Sequence, residues 1–127
     1  MAEKLDRVCV FGLEPDSPEL PIVEGEGKAH AIVWPGVGAE IRSMHRFSLG
    51  AGARTTELCH PMEAVYYIIS GSGSVTDPAE PTDESLVEGS MIFVEPSTAY
   101  VIQAGEAGIE VLGGPCPPDP SMYAHLS

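Results

Sequence analysis

Apolar and β-branched positions recur along the chain in short runs, each bounded by glycine, proline or acidic residues: Ala29–Trp34, Ala39–Leu49, Thr55–His60, Ala64–Ile69, Gly73–Thr76, Ser90–Val94, Ala99–Gln103 and Gly108–Leu112. Runs of this length between turn signals predict about eight short strands, and so an all-β sandwich or small closed barrel. Helices have little room, because 14 glycines and 12 prolines leave few windows long enough for an uninterrupted one. Gly50-Ala51-Gly52 separates two strands, and Ser70-Gly71-Ser72-Gly73 predicts a hairpin turn after Tyr66-Tyr67-Ile68-Ile69. Asp77–Glu84 holds two prolines and four acids and reads as a solvated loop. Glu14–Pro21 and Gly114–Pro120 are proline-rich and are expected as extended arms. The expected organisation is one domain, with an N-terminal arm over 1–28, a barrel over 29–112 and a C-terminal tail over 113–127.

Size and charge narrow the function. A chain of 127 residues encloses one modest core. Its 6 Lys and Arg against 19 Asp and Glu give a net charge of −13, a field that repels nucleic acid and anionic membrane surfaces alike. A hydrophobic fraction of 43% assigns that acidity to a folded, soluble domain rather than a disordered acidic chain. The first seven residues are polar and Val8–Leu13 is too short for a signal-peptide core, so a cytoplasmic protein is expected. Cys9, Cys59 and Cys116 are odd in number and far apart, which predicts reduced thiols rather than a disulfide frame or a zinc-finger site.

One stretch carries a more specific signal. Gly52, His60 and Gly71, within Gly52-Ala53-Arg54-Thr55-Thr56-Glu57-Leu58-Cys59-His60-Pro61-Met62-Glu63-Ala64-Val65-Tyr66-Tyr67-Ile68-Ile69-Ser70-Gly71, keep the spacing of the first motif of the cupin superfamily. Gly89-Ser90-Met91-Ile92-Phe93-Val94-Glu95-Pro96-Ser97-Thr98-Ala99-Tyr100 is similar to the second. The resemblance implies a cupin-type jelly-roll β-barrel. It also implies four metal-ligand positions, which fall here on Leu58, His60, Ala64 and Tyr100. One imidazole of four does not hold a divalent ion against water, so no cofactor is expected. The alternative is a divalent transition metal on Glu63, His60 and Tyr100, because Glu63-Ala64-Val65-Tyr66 also resembles the Glu-Ala-Val-Tyr stretch of ectoine synthase, a cupin in which that Glu is a ligand. That register places Glu63 one residue out of step with the motif, and a one-residue slip reverses the face of a strand side chain.

The resemblance places His60 and Tyr100 facing each other inside the barrel. An imidazole with an ordinary pKa near ~6.5 moves protons at neutral pH, and a phenol near ~10 donates to a developing oxyanion. The pair is therefore the expected catalytic centre of an isomerase, lyase or cyclase acting next to a carbonyl. Tyr66 shares the face of Ala64 and Ile68 and is an expected substrate-binding residue, together with His45 and Arg46 on the preceding strand, Arg46 being the natural anchor for a carboxylate. Cys59 points away from its neighbours Leu58 and His60. The rival expectation is a non-catalytic module that binds a small ligand in the same pocket. The expected partners are a small molecule and a second copy of the chain, in a homodimer involving the N-terminal arm.

Overall fold

The computed structural model describes residues 8–126, without the side chains of residues 81 and 82; the polar start, residues 1–7, and residue 127 lie outside them. Among the described residues nine strands form one nearly closed sheet: β1 (Glu19–Leu20), β2 (Val23–Glu24), β3 (Gly27–Val33), β4 (Met44–Leu49), β5 (Arg54–Thr55), β6 (Glu63–Asp77), β7 (Glu80–Val87), β8 (Met91–Val94) and β9 (Val101–Cys116). The sheet thus begins before residue 29 and continues past residue 112. No described helix is long and apolar enough to cross a membrane.

Two long strands organise the barrel. β9 pairs with β4, β5 and β6, and β6 pairs with β7, β8 and β9, all antiparallel. Side chains alternate across β6, so Ala64, Tyr66 and Ile68 point into the core while Glu63, Val65 and Tyr67 point out. The same alternation buries His45, Phe47 and Leu49 on β4 and Ile102 and Ala104 on β9. The core these strands enclose is aliphatic at one end, around Ile68, Ile109 and Leu49, and aromatic and polar at the other.

Two expected features are different. Ser70-Gly71-Ser72-Gly73 is not a hairpin turn but a bulged stretch inside β6, with register shifts against β9 between Ile68 and Ser70 and between Gly71 and Gly73. The glycines serve close approach instead: a Cβ on Gly71 would collide with the Gly108 carbonyl, and Gly71 holds φ +85°. The turn lies further on, where Pro78 and Ala79 link Asp77 to Glu80 and the Ala79 N–H donates to the Asp77 carboxylate at 2.8 Å. The acidic stretch expected as a solvated loop is therefore mostly strand β7.

The C-terminal residues fold back over the aromatic end. After β9 the chain enters a 3-10 helix over Pro120–Leu126 that buries Met122 and Tyr123, and the His125 ring nitrogen reaches the Glu19 carbonyl at 2.7 Å. Tyr123 closes against Trp34, ring centroids 5.1 Å apart.

Candidate functional site

At the aromatic end of the barrel four buried side chains from four segments join in one line. His60 stands in the segment between β5 and β6, held by backbone pairing with the segment before β9: Leu58 and Tyr100 exchange N–H to carbonyl bonds of 2.9 and 2.8 Å, and the Ser97 N–H donates to the His60 carbonyl at 2.7 Å. With Leu58 and His60 buried and Cys59 exposed, the imidazole is turned inward. Its Nε2 lies 2.7 Å from the Tyr100 hydroxyl and its Nδ1 2.7 Å from Asp119 Oδ2. The Tyr100 hydroxyl in turn lies 2.5 Å from that of Tyr66.

The direction of these bonds follows from Asp119. Burial would raise its carboxyl, but the hydrogen bonds from His60 and from the Ser121 N–H and hydroxyl outweigh that and hold it below the ordinary carboxylate range. It is thus ionised at neutral pH and only accepts, so His60 Nδ1 carries a proton. In the neutral imidazole Nε2 is then a lone pair accepting the Tyr100 O–H, and the Tyr100 oxygen accepts the Tyr66 O–H. Burial holds both phenols above the ordinary tyrosine range, reinforced at Tyr100 by the proximity of Tyr66 and the Asp119 charge. Both tyrosines therefore stay protonated, each with its proton aimed toward His60.

A second pair lies beside this line. His45 Nε2 is 2.6 Å from the Tyr123 hydroxyl, and His45 is fully buried with Nδ1 lacking a protein partner. Burial, and after it the neighbouring His60, lowers its pKa to about 4, so it is neutral at physiological pH.

The structure thus brings together four of the residues expected from sequence: His60, Tyr100, Tyr66 and His45. It does not bring Arg46 or Glu63 to them. Arg46 follows His45 on the strand and so faces outward, where it binds Glu110 at 3.0 Å. Glu63 precedes buried Ala64 and lies on the exposed face of β6, so the set Glu63, His60 and Tyr100 is not assembled. The metal that the cupin resemblance implies does not fit the donors present. Leu58 and Ala64 offer no ligand atom, both nitrogens of His60 are engaged, and among the described residues no three His, Cys, Asp or Glu side chains converge. Asp119 and Tyr123 are the members that sequence reasoning missed. A signal for Asp119 existed: Asp-Pro-Ser is a helix start, with Asp at the N-cap and Pro behind it. In the structure Asp119 Oδ1 caps the Ser121 N–H at 3.0 Å, which leaves Oδ2 free for His60.

Hollows open at both ends of the barrel, and one of them reaches the site. One of about 230 Å³ reaches Tyr100 from between the β6–β7 hairpin and β8. A larger one, about 490 Å³, lies beyond the Leu49 end of β4 and contains none of the linked residues.

No family model matches the sequence, and no curated protein matches it. Solved structures match its fold. A predicted oxalate decarboxylase from Thermotoga maritima superposes with a TM-score of 0.66 at 19% identity, over 80% of this chain and 94% of that one. An RmlC-like cupin from Shewanella frigidimarina gives 0.66 at 17%, over 89% and 95%. The polyketide cyclase RemF from Streptomyces resistomycificus gives 0.65 at 16%, over 91% and 82%. The chain has the cupin jelly-roll fold.

Proposed function

We propose that this chain is a small-molecule enzyme of the cupin fold that transfers protons next to a carbonyl without a metal, in the manner of an isomerase, lyase or cyclase. The observation that supports the reading is the buried line Asp119, His60, Tyr100, Tyr66. A substrate oxygen that takes over the Tyr100 O–H releases the lone pair on His60 Nε2, so one event supplies both an acid toward oxygen and a base toward the adjacent C–H. Asp119 is the positioning residue: it keeps Nδ1 protonated and stabilises the imidazolium that forms. A polyketide cyclase is among the structural neighbours, so a cyclase is one of the enzymes built on this fold.

The test is exchange of protons for deuterium beside the carbonyl in a panel of cyclic and linear ketones, followed by NMR in D2O. The wild-type chain is expected to accelerate exchange in at least one, and Asp119→Asn to slow it by about tenfold or more, since orientation and tautomer are part of what a positioned base contributes. Ligands that bind without any exchange would favour the non-catalytic module instead.

We also propose a homodimer. Val65 and Tyr67 on β6 pair with Phe93 and Met91 on β8, and all four side chains are exposed on one outer sheet face. Val8 and Val10 of the arm are exposed as well, and two such surfaces on one molecule of 13.4 kDa are covered economically by a second copy. Sedimentation of the wild type is expected to give twice the chain mass, and Phe93→Glu with Met91→Glu to give a monomer; a wild-type monomer at all concentrations would refute it.

A further inference from the structure

The 230 Å³ hollow touches the proton-transfer line at Tyr100, and its lining sets what can approach. Tyr100 forms one wall. Val75, Ile92, Val94 and Ala99 supply apolar surface, and Thr76 and Thr98 supply hydroxyls. The remaining polar groups are Asp77, Glu80, Glu84 and Glu95, with no Lys, Arg or His among the lining residues. The described cations are committed elsewhere: Lys28 faces Glu19, Arg46 binds Glu110 and Arg54 binds Glu24. Arg42 is exposed outside this lining.

We infer that this hollow is the substrate's approach to Tyr100 and that the substrate carries no anionic group: it is an uncharged, mainly apolar carbonyl or phenolic compound. This deepens the proposed function and rests on it for the role of Tyr100. Two physical points carry the inference. A carboxylate or phosphate entering here would lose water without meeting a compensating cation, and would meet several carboxylates. The apolar wall beside Tyr100, by contrast, rewards burial of a ring or alkyl body. The volume lies below the roughly 300–1,000 Å³ typical of pockets for drug-sized ligands, which limits the occupant to about one or two rings.

The experiment uses two probes that share one ring system, 2-naphthol, uncharged at neutral pH, and 2-naphthoate, its anionic counterpart, titrated into the full chain at low salt with backbone NMR readout. Naphthol is expected to shift the Ile92, Val94 and Ala99 amides and to bind about tenfold or more tightly than naphthoate, with the gap narrowing as salt screens the carboxylates. Glu84→Gln together with Glu95→Gln is expected to improve naphthoate binding severalfold and leave naphthol unchanged. Equal or tighter binding of naphthoate, shifts confined to other parts of the chain, or no binding of either probe would overturn the inference. Binding is read here without turnover, so an inactive Tyr100 line leaves this result intact, and a failure here leaves the exchange assay free to succeed.

Discussion

Replacing Tyr100 by Phe and His60 by Ala is expected to abolish the proton-exchange activity, each lowering the rate by about 10²–10⁴, the usual contribution of a positioned acid or base. The two variants fail for different reasons. Tyr100→Phe removes a single oxygen that is held between His60 Nε2 and Tyr66 at 2.7 and 2.5 Å, so the acid toward the substrate oxygen is gone while the base remains. His60→Ala removes the base and also leaves the 4%-exposed Asp119 carboxylate with Ser121 alone. The stability cost of Tyr100→Phe is about 1–3 kcal/mol, since two buried groups lose their partner, which a domain of ordinary stability survives. His60→Gln guards against the more disruptive alanine, because it retains polar atoms for Asp119 and Tyr100 yet cannot accept a proton at neutral pH. Circular dichroism and melting establish that each variant is folded. Full activity in either Tyr100→Phe or folded His60→Gln would remove the mechanism. A useful contrast is Tyr66→Phe: Tyr66 does not contact His60 directly, so its loss lowers the rate less than the loss of Tyr100.

Much of the fold was legible because it depends on local spacing. The glycines and prolines that exclude long helices, and the two motifs from Gly52 to Gly71 and from Gly89 to Tyr100, all lie within short windows. Period-two alternation puts His60 and Cys59 on opposite faces, and the cupin resemblance implies that His60 takes the inward one, as it does. That rule already contained a choice that only the register resolves: His45 and Arg46 are adjacent, so one of them faces the core, and Glu63 and Ala64 stand in the same relation. Pairing of β4 with β9, which places His45 opposite Gly113, decides for His45. Gly114 leaves room around that imidazole, since a Cβ there would stand 3.0 Å from His45 Nδ1. The residues that were not legible reach the site over long distances in sequence. Asp119 meets His60 across 59 positions and Tyr123 meets His45 across 78, and both depend on how the proline-rich tail leaves β9. The turn signal at Ser70–Gly73 misleads for a related reason: glycine permits a turn, but it also permits two strands to approach closely, and the neighbouring strand β9 determines which.

The largest effect on stability should come from acid and should trace to His45. Its pKa is lowered from 6.5 to about 4 in the folded chain, first by burial and then by His60. Above pH 6.5 the imidazole is neutral in both folded and unfolded chains and contributes nothing to the pH dependence. As pH falls below that, the unfolded chain takes up a proton that the folded chain refuses, so stability is lost down to the folded value near 4. At ~1.36 kcal/mol per pKa unit the loss amounts to about 3 kcal/mol, a large share of the ~5–15 kcal/mol that holds a domain folded. Asp119 does not act in this window, because its lowered carboxyl gives stability that is lost only as pH falls through and below its ordinary value of 3.8. The measurement is urea unfolding at pH steps from 7 to 4 for the wild type and for His45→Gln, which keeps an acceptor for the Tyr123 hydroxyl but does not titrate. The variant is expected to be less stable at pH 7 by about 1–3 kcal/mol, through looser packing around a fully buried site. Its stability should then fall with a slope shallower by up to one proton, so that the two chains converge near pH 4; parallel slopes would place the acid sensitivity elsewhere. The mirror-image effect belongs to Tyr123, whose hydroxyl is pushed up to about 12, chiefly by burial and further by the Asp119 charge. Its contribution is complete below pH 10 and is lost as pH rises toward 12. One hydrogen bond between the barrel wall and the C-terminal helix thus faces opposing titrations at its two ends.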